Sequence, residues 1–393
     1  MTIDDTTIRE LIDFDDPVGV LSFYVGNTPQ GAAERQPTAP IEIRNQLKEL
    51  TGGLAKRDPD RAKAVERRLG RIGPALDLLL DPKAPGRGRA LFVGVESGRS
   101  ESLALQIPFR ERVVLHDSAY VRPLVAAHDE GREAGVYVVS RSGARLLRWS
   151  VGEVEQLATF GFEVGEEVLA RDKSGPSPGN PSDPRHGYVN RERFADRIDE
   201  HRHRFLKEVG EDVAARATEH GWDRLVLAGP PKARESAREL LPTANGLRVI
   251  LADQAWEDDP PHLIAEHAWP LLRSVHRERE RELAEAARER ALSGGPGAIG
   301  MRNVTQALNA GRVAHLLYAS DLAAEGYLAE DGTLHARVEG LAAQTDQSFS
   351  REPLFVERLI ERAIGTSAQV TPVEPEATDI LSEHDGVAAL LRW

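Results

Sequence analysis

Apolar and polar positions along this chain fall into three successive blocks, and each block moves between strand-like and helix-like spacing. In the first block Ile8, Leu11 and Ile12 space a short helix that Thr6 or Thr7 could cap. Val18 to Val25 is a run of branched and aromatic residues that predicts a strand. Apolar spacing then predicts helices over 41–54 and 61–80 and strands over 89–95, 102–107 and 110–115. Gly131-Arg-Glu-Ala-Gly135 predicts a linker.

The second block opens with three strand-like runs, 136–140, 145–149 and 153–160, joined by tight turns. A Pro/Gly-rich loop spans 171–190. After it, Phe194, Ile198, His201, Phe205 and Val209 recur every three or four residues and predict a helix. His201 lies on that apolar stripe and reads as a core histidine, and His203, two positions on, points to another face, so the two make no metal pair. Short buried strands are expected at 224–228 and 247–251, each followed by helical spacing. The helix over 261–292 changes character halfway. Leu263, Ile264, Leu271 and Leu272 belong to its apolar half, whereas 277–290 is mostly arginine and glutamate and reads as a solvated rod between domains. Ser293-Gly-Gly-Pro-Gly297 ends it.

The third block predicts helices over 301–310 and 353–364 and strands over 314–319, 368–371 and 386–392. Gly311 stands at a helix C-cap, and the polar stretch 329–351 reads as a loop. The order of elements predicts an α/β protein with mixed sheets in three domains, 1–131, 136–292 and 298–393.

Composition narrows the function classes. A chain of 393 residues, 40% hydrophobic and 29% charged, is expected to fold into two or three globular domains. Charges or glycines interrupt every apolar run, so no membrane span or membrane partner is expected. The start, Met1-Thr-Ile-Asp-Asp, lacks a signal-peptide pattern, and the absence of cysteine excludes disulfides and thiolate metal sites. Together these features predict a cytoplasmic protein. A net charge of −13 argues against nonspecific coating of nucleic acid and leaves room for a local basic face.

Three motifs mimic chemistry. Gly175-Pro-Ser-Pro-Gly179 spells a nucleophile elbow around Ser177, but prolines flank the serine where a strand and a helix are required. Gly295-Pro-Gly-Ala-Ile-Gly300 spells a dinucleotide fingerprint, but a charged helix precedes it, which favours an interdomain hinge. His262, Glu266 and His267 lack zinc-protease spacing. With no Walker-type Gly-Lys-Ser/Thr either, no cofactor and no metal are expected.

Two segments near the end, Asn309-Ala-Gly-Arg-Val-Ala-His-Leu-Leu-Tyr318 and Glu383-His-Asp-Gly-Val-Ala-Ala-Leu-Leu-Arg392, resemble the third domain of archaeal and eukaryotic peptide-chain release factors. Phe14-Asp-Asp-Pro-Val-Gly-Val-Leu-Ser-Phe-Tyr-Val25 with Thr28-Pro-Gln30 is similar to the start of bacterial release-factor-like proteins. The layout resembles the release-factor, Pelota and Balon superfamily over nearly the whole chain. That resemblance implies a central RNase H-like release-factor domain and a C-terminal domain resembling RNA-binding ribosomal proteins. It also implies occupancy of the ribosomal A site, contact with rRNA, and a partner such as the stalk or a translational GTPase like elongation factor Tu.

The family's Gly-Gly-Gln loop corresponds to 171–190, yet no glutamine occurs between Gln156 and Gln254. The codon-reading tetrapeptide Asn-Ile-Lys-Ser is also missing. Both losses point to a non-hydrolytic A-site binder acting in ribosome hibernation or rescue. A second reading is an active peptidyl-tRNA hydrolase or release factor that uses Asn180, His186 or backbone amides instead. A third is a soluble hydrolase unrelated to translation, with Ser177 or a histidine cluster lining a closed pocket. The candidate RNA-contacting residues are Lys173, Arg185, His186, Arg191, Arg193, Arg197 and Arg202. Interleaved Asp196, Asp199 and Glu200 fit a solvated helix face equally well.

Overall fold

Leu21, Phe23 and Val25 alternate with Ser22 and Tyr24, and all five are buried, because the strand that carries them is covered on both faces. The computed structural model describes residues 3–26, 39–162, 184–242, 246–338 and 348–393, the side chains of 184–196 and 376–378 excepted. Helix α1 (Asp5–Ile12) is capped by Asp4, whose carboxylate accepts from the Thr7 amide at 2.8 Å. The expected cap at Thr6 or Thr7 is thus displaced by an acidic side chain three residues upstream, a favoured N-cap. Strand β1 (Asp15–Gly26) is followed by three helices, α2 (Ala39–Arg57), α3 (Pro59–Arg71) and α4 (Gly73–Leu80). The single helix expected over 61–80 is two, since Gly73-Pro74 withholds an amide hydrogen and restarts the helix. With β2 (Gly88–Gly94), β3 (Ser100–Leu105) and β4 (Arg112–Ser118), β1 forms an antiparallel sheet in the order β3-β2-β1-β4. Ile43, Val65 and Leu79 of the helices pack on its Leu21, Phe23, Leu91 and Val93. Helix α5 (Arg122–Glu130) closes this segment.

Residues 133–273 build a second sheet. β5 (Ala134–Val139), β6 (Gly143–Ser150) and β7 (Glu153–Gly161) form an antiparallel meander. Helix α6 (Pro184–Glu219) precedes β8 (Arg224–Ala228), and α7 (Pro231–Leu240) precedes β9 (Arg248–Leu251). Both β8 and β9 run parallel to β5, so the order is β7-β6-β5-β8-β9, the mixed RNase H-like arrangement. Tyr137, Val139, Leu146, Leu225 and Leu227 face α6 and α7. Val136, Val138, Leu147, Trp149 and Val226 face the first half of α8 (Pro261–Leu292), through Ile264, Ala268 and Leu272.

The second half of α8 is no solvated rod. Ala284 and Ala287 are fully buried against Leu317, Val373, Leu381 and Ala388. Small residues on one face let this Arg/Glu-rich stretch pack while its charges occupy the other faces. The Gly295–Gly300 segment is likewise no hinge. It holds β10 (Gly297–Ile299), and a Cβ on Gly297 would lie 2.6 Å from the Ala291 amide nitrogen. The remaining elements are α9 (Met301–Asn309), β11 (Val313–Ala319), α10 (Phe355–Gly365), β15 (Gln369–Val373), α11 (Pro375–Ser382) and β16 (Val387–Leu391). They form a sheet in the order β10-β16-β11-β15, with β15 parallel to β11. Where a loop was expected over 329–351, a small sheet joins β12 (Gly326–Ala329), β13 (Leu334–His335) and β14 (Phe349–Glu352).

By packing, the chain forms two units, Met1–Arg132 with Ser274–Trp393, and Glu133–Arg273. Within the first, the Ser118 hydroxyl donates to Glu361 at 2.6 Å, and Arg122 donates to the carbonyls of Ala319, Ser320 and Leu322 at 3.1, 2.7 and 2.7 Å. Burial alone would raise the pKa of the Glu352 carboxyl. The His116 ring 3.6 Å away, the Leu354 amide and the Arg358 guanidinium instead hold it at about 2. The three-block division drawn from sequence stays a proposal about modules.

Two outcomes test this packing. Ala287→Leu should destabilise its unit by about 1–3 kcal/mol through overpacking, while exposed Arg288→Ala should stay within about 0.5 kcal/mol in urea melts. Burial depresses the pKa of His315 from 6.5 to about 4, with Thr371 Oγ1 2.9 Å from its Nε2. The unfolded chain therefore takes up a proton that the folded chain refuses, and stability should fall as pH drops from 6.5 to about 4. A His315→Gln variant should flatten that slope in thermal melts.

Candidate nucleic-acid interface

Helix α6 has 36 residues, and at about 1.5 Å per residue it is roughly 54 Å long. Its core-facing positions begin at Phe205 and continue through Leu206, Val209, Val213 and Ala217, at helical steps. Among the described side chains of 197–204 none belongs to the core. Among the described side chains of α6, those packed on the sheet run from Phe205 onward. The leading stretch, 184–204, carries six arginines and four acidic residues in a chain of net charge −13. It is locally basic against an acidic background.

At the point where α6 meets the sheet, Arg202 is held in place. It donates to the Arg141 carbonyl at 2.7 Å, and its guanidinium lies 5.2 Å from the centre of the Phe162 ring. Phe162 in turn packs on Phe205 with ring centres 5.3 Å apart, and its amide donates to the Ser142 carbonyl at 2.8 Å. This knot fixes the chain where it leaves β7. Nearby charges are paired at the surface, Arg204 with Glu200 at 3.8 Å and Lys232 with Asp199 at 3.3 Å. Exposed pairs of this kind contribute about 0–1 kcal/mol, so a phosphate can compete for either cation at little cost.

Of the seven residues singled out by sequence, Lys173 lies outside the described residues, as do Ser177 and Asn180. Arg185, His186, Arg191 and Arg193 stand on α6, with their side chains outside the description. Arg197 is half-buried on the same helix. Arg202 contacts the Arg141 carbonyl and the Phe162 ring. His201 is half-buried rather than in the core, because α6 reaches the sheet only from Phe205 onward. Sequence reasoning missed Arg141 and Phe162. Their contacts join a turn, a strand end and a helix far apart in the chain, and no periodicity within one element signals that.

Among the described residues no group of three or more His, Asp or Glu is arranged to hold a metal, and no helix is long and apolar enough to cross a membrane.

Residues 120–272 match bacterial archaeo-eukaryotic release factor family 10. No curated protein sequence matches the chain significantly. Among solved structures, similarity extends to the archaeal translation termination factor aRF1, with 18% identity over 100% of this chain and 99% of that one, at a TM-score of 0.25. The ribosome-bound archaeal Pelota, described with ABCE1, is 12% identical over 100% and 95% of the two chains, at 0.42. Pelota of Archaeoglobus fulgidus is 16% identical over 78% and 79%, at 0.35. The weight rests on the family match, which spans α5, the whole five-stranded sheet and the first half of α8. Residues 120–272, less than half of the chain, are thus similar to bacterial archaeo-eukaryotic release factor family 10.

Proposed function

We propose that this chain is a ribosome-associated translation factor that fills the A site without hydrolysing peptidyl-tRNA, in hibernation or rescue. The observation that carries this reading is a release-factor-like sheet from whose edge strand the chain leaves at Phe162 and to which it returns by a long, basic α6. In a release factor the loop between such elements must place a water against an ester, and placement with electrostatic stabilisation is nearly all that it supplies. Here the corresponding stretch, 171–190, has no glutamine and no Gly-Gly-Gln, so it lacks the side chain used for release. The leading part of α6, with Arg185, Arg191, Arg193 and Arg197, supplies cations for rRNA phosphates. A translational GTPase, elongation factor Tu among the candidates, is the proposed delivery partner, and the cytoplasm the proposed location.

Two measurements test the proposal. In co-sedimentation with 70S ribosomes, binding should weaken with salt. Arg193→Glu with Arg197→Glu should reduce the slope of log affinity against log salt by roughly 1–2. A folded double variant that sediments like the wild type would refute the interface. Incubation with ribosomes carrying peptidyl-tRNA should release no more peptide than buffer does. Release that depends on Asn180 or His186 would instead support the hydrolase reading.

A further inference from the structure

A cleft of about 410 Å³ lies within the unit formed by Met1–Arg132 and Ser274–Trp393. That volume falls in the range of about 300–1,000 Å³ usual for small-molecule sites. Pro108, Phe109, Pro123, Pro353 and Pro372 stiffen its walls, and the acids Glu130, Asp321 and Glu374 line it as well. Two exposed guanidiniums, Arg110 and Arg112, stand at its open side. At its inner wall are Tyr318 and Glu357, 1% and 2% exposed.

Among the described residues no hydrogen bond of good geometry reaches either carboxylate oxygen of Glu357 or the Tyr318 hydroxyl, and Arg122 lies beside both. Native folds rarely leave such groups without partners in the interior unless they have a use. The groups facing Glu357 are Arg112 of β4, Arg122 of α5, Glu361 one turn along α10, and the hydroxyls of Tyr24, Tyr120 and Tyr318. Burial raises the Glu357 pKa to about 8 despite the two arginines, so the acid is neutral at physiological pH. A neutral carboxyl presents a donor and an acceptor side by side. The edge of a nucleobase presents the complementary pair. Guanidiniums at the mouth, in turn, suit a phosphate, which they bind through paired N–H groups.

We propose that this cleft binds a mononucleotide, with its base turned toward Glu357 and Tyr318 and its phosphate on Arg110 and Arg112. The inner groups are shielded from water in the empty cleft. Contact with the base requires the Glu357 side chain, which has three torsions, to turn its buried carboxyl toward the cleft. The proposal is independent of ribosome binding.

Equilibrium dialysis of the full chain against AMP, GMP, CMP and UMP tests it, with adenosine and ribose 5-phosphate as separate arms. At least one mononucleotide should bind one per chain, more tightly than either fragment. Arg110→Glu with Arg112→Glu should weaken binding by about ten-fold or more, and Glu357→Leu, which replaces a buried acid by an apolar side chain, should do the same. Glu357→Gln keeps a neutral donor–acceptor pair and should bind within about three-fold of wild type. Raising the pH through 8 should weaken wild-type binding and leave Glu357→Gln unchanged. Circular dichroism checks that each variant is folded. Absence of nucleotide binding at millimolar concentration would overturn the proposal, as would ribose 5-phosphate binding as well as nucleotides, or folded variants that bind like wild type.

Discussion

The constraint on which the Glu133–Arg273 unit depends is a sheet that is apolar on both faces. Val136 and Val138 point one way along β5, Tyr137 and Val139 the other, and all four are 0–1% exposed. Such a sheet has to be covered twice, and two long helices do so, α6 on one face and the first half of α8 on the other. Each buried side chain of this size stabilises the fold by about 1.5–3 kcal/mol, which anchors both helices firmly. Coverage needs only the part of α6 from Phe205 to Ala217. The leading stretch, 184–204, is rich in arginine and acidic residues.

The same economy shapes α8. Its Ile264, Ala268 and Leu272 serve the five-stranded sheet, and its Ala284 and Ala287 serve the C-terminal sheet. Between these stretches lie His276 and Glu280, 3% and 2% exposed and 3.1 Å apart. The Glu280 carboxylate also lies 3.4 Å from Arg277 and accepts from the Glu374 amide at 2.9 Å. A buried charge is tolerated only when partners of this kind satisfy it, and removing one partner would strand the other. The charged half of the helix is thus part of a core, held by alanines on one side and by the polar contacts of His276 and Glu280 beside them.

Much of this was legible in the sequence. The strands at 136–140, 145–149 and 224–228 lie within a residue or two of β5, β6 and β8, because runs such as Arg224-Leu-Val-Leu-Ala228 have no helical alternative of useful length. Gly311 does follow a helix end, with a φ of +66° that a side chain would resist. What stayed hidden depended on other segments. Alternating Arg and Glu over 277–290 reads as solvated, since alanine is too small to register as an apolar stripe. The strands β12, β13 and β14 are only 4, 2 and 4 residues long, below the length at which alternation can be read. Glu357 looks like any helix-surface acid beside Arg358 and Glu361, and only the closure of β1, β4 and α5 around it makes it a buried one.

The proposed binding of RNA by an acidic protein meets a further electrostatic constraint. A net charge of −13 would repel a polyanion if all charges acted at once. In physiological salt they do not, because the screening length is about 8 Å. A phosphate docked on the leading part of α6 would respond chiefly to charges within a turn or two, where arginines outnumber acids. Asp199 and Glu200 already engage Lys232 and Arg204, so the cost of bringing a phosphate near them is reduced further. Under the proposed function, an acidic net charge would then favour selectivity, since it weakens nonspecific attraction of RNA to the rest of the chain. A short basic segment on a rigid base suits one defined cavity, and a uniformly basic surface would suit any nucleic acid.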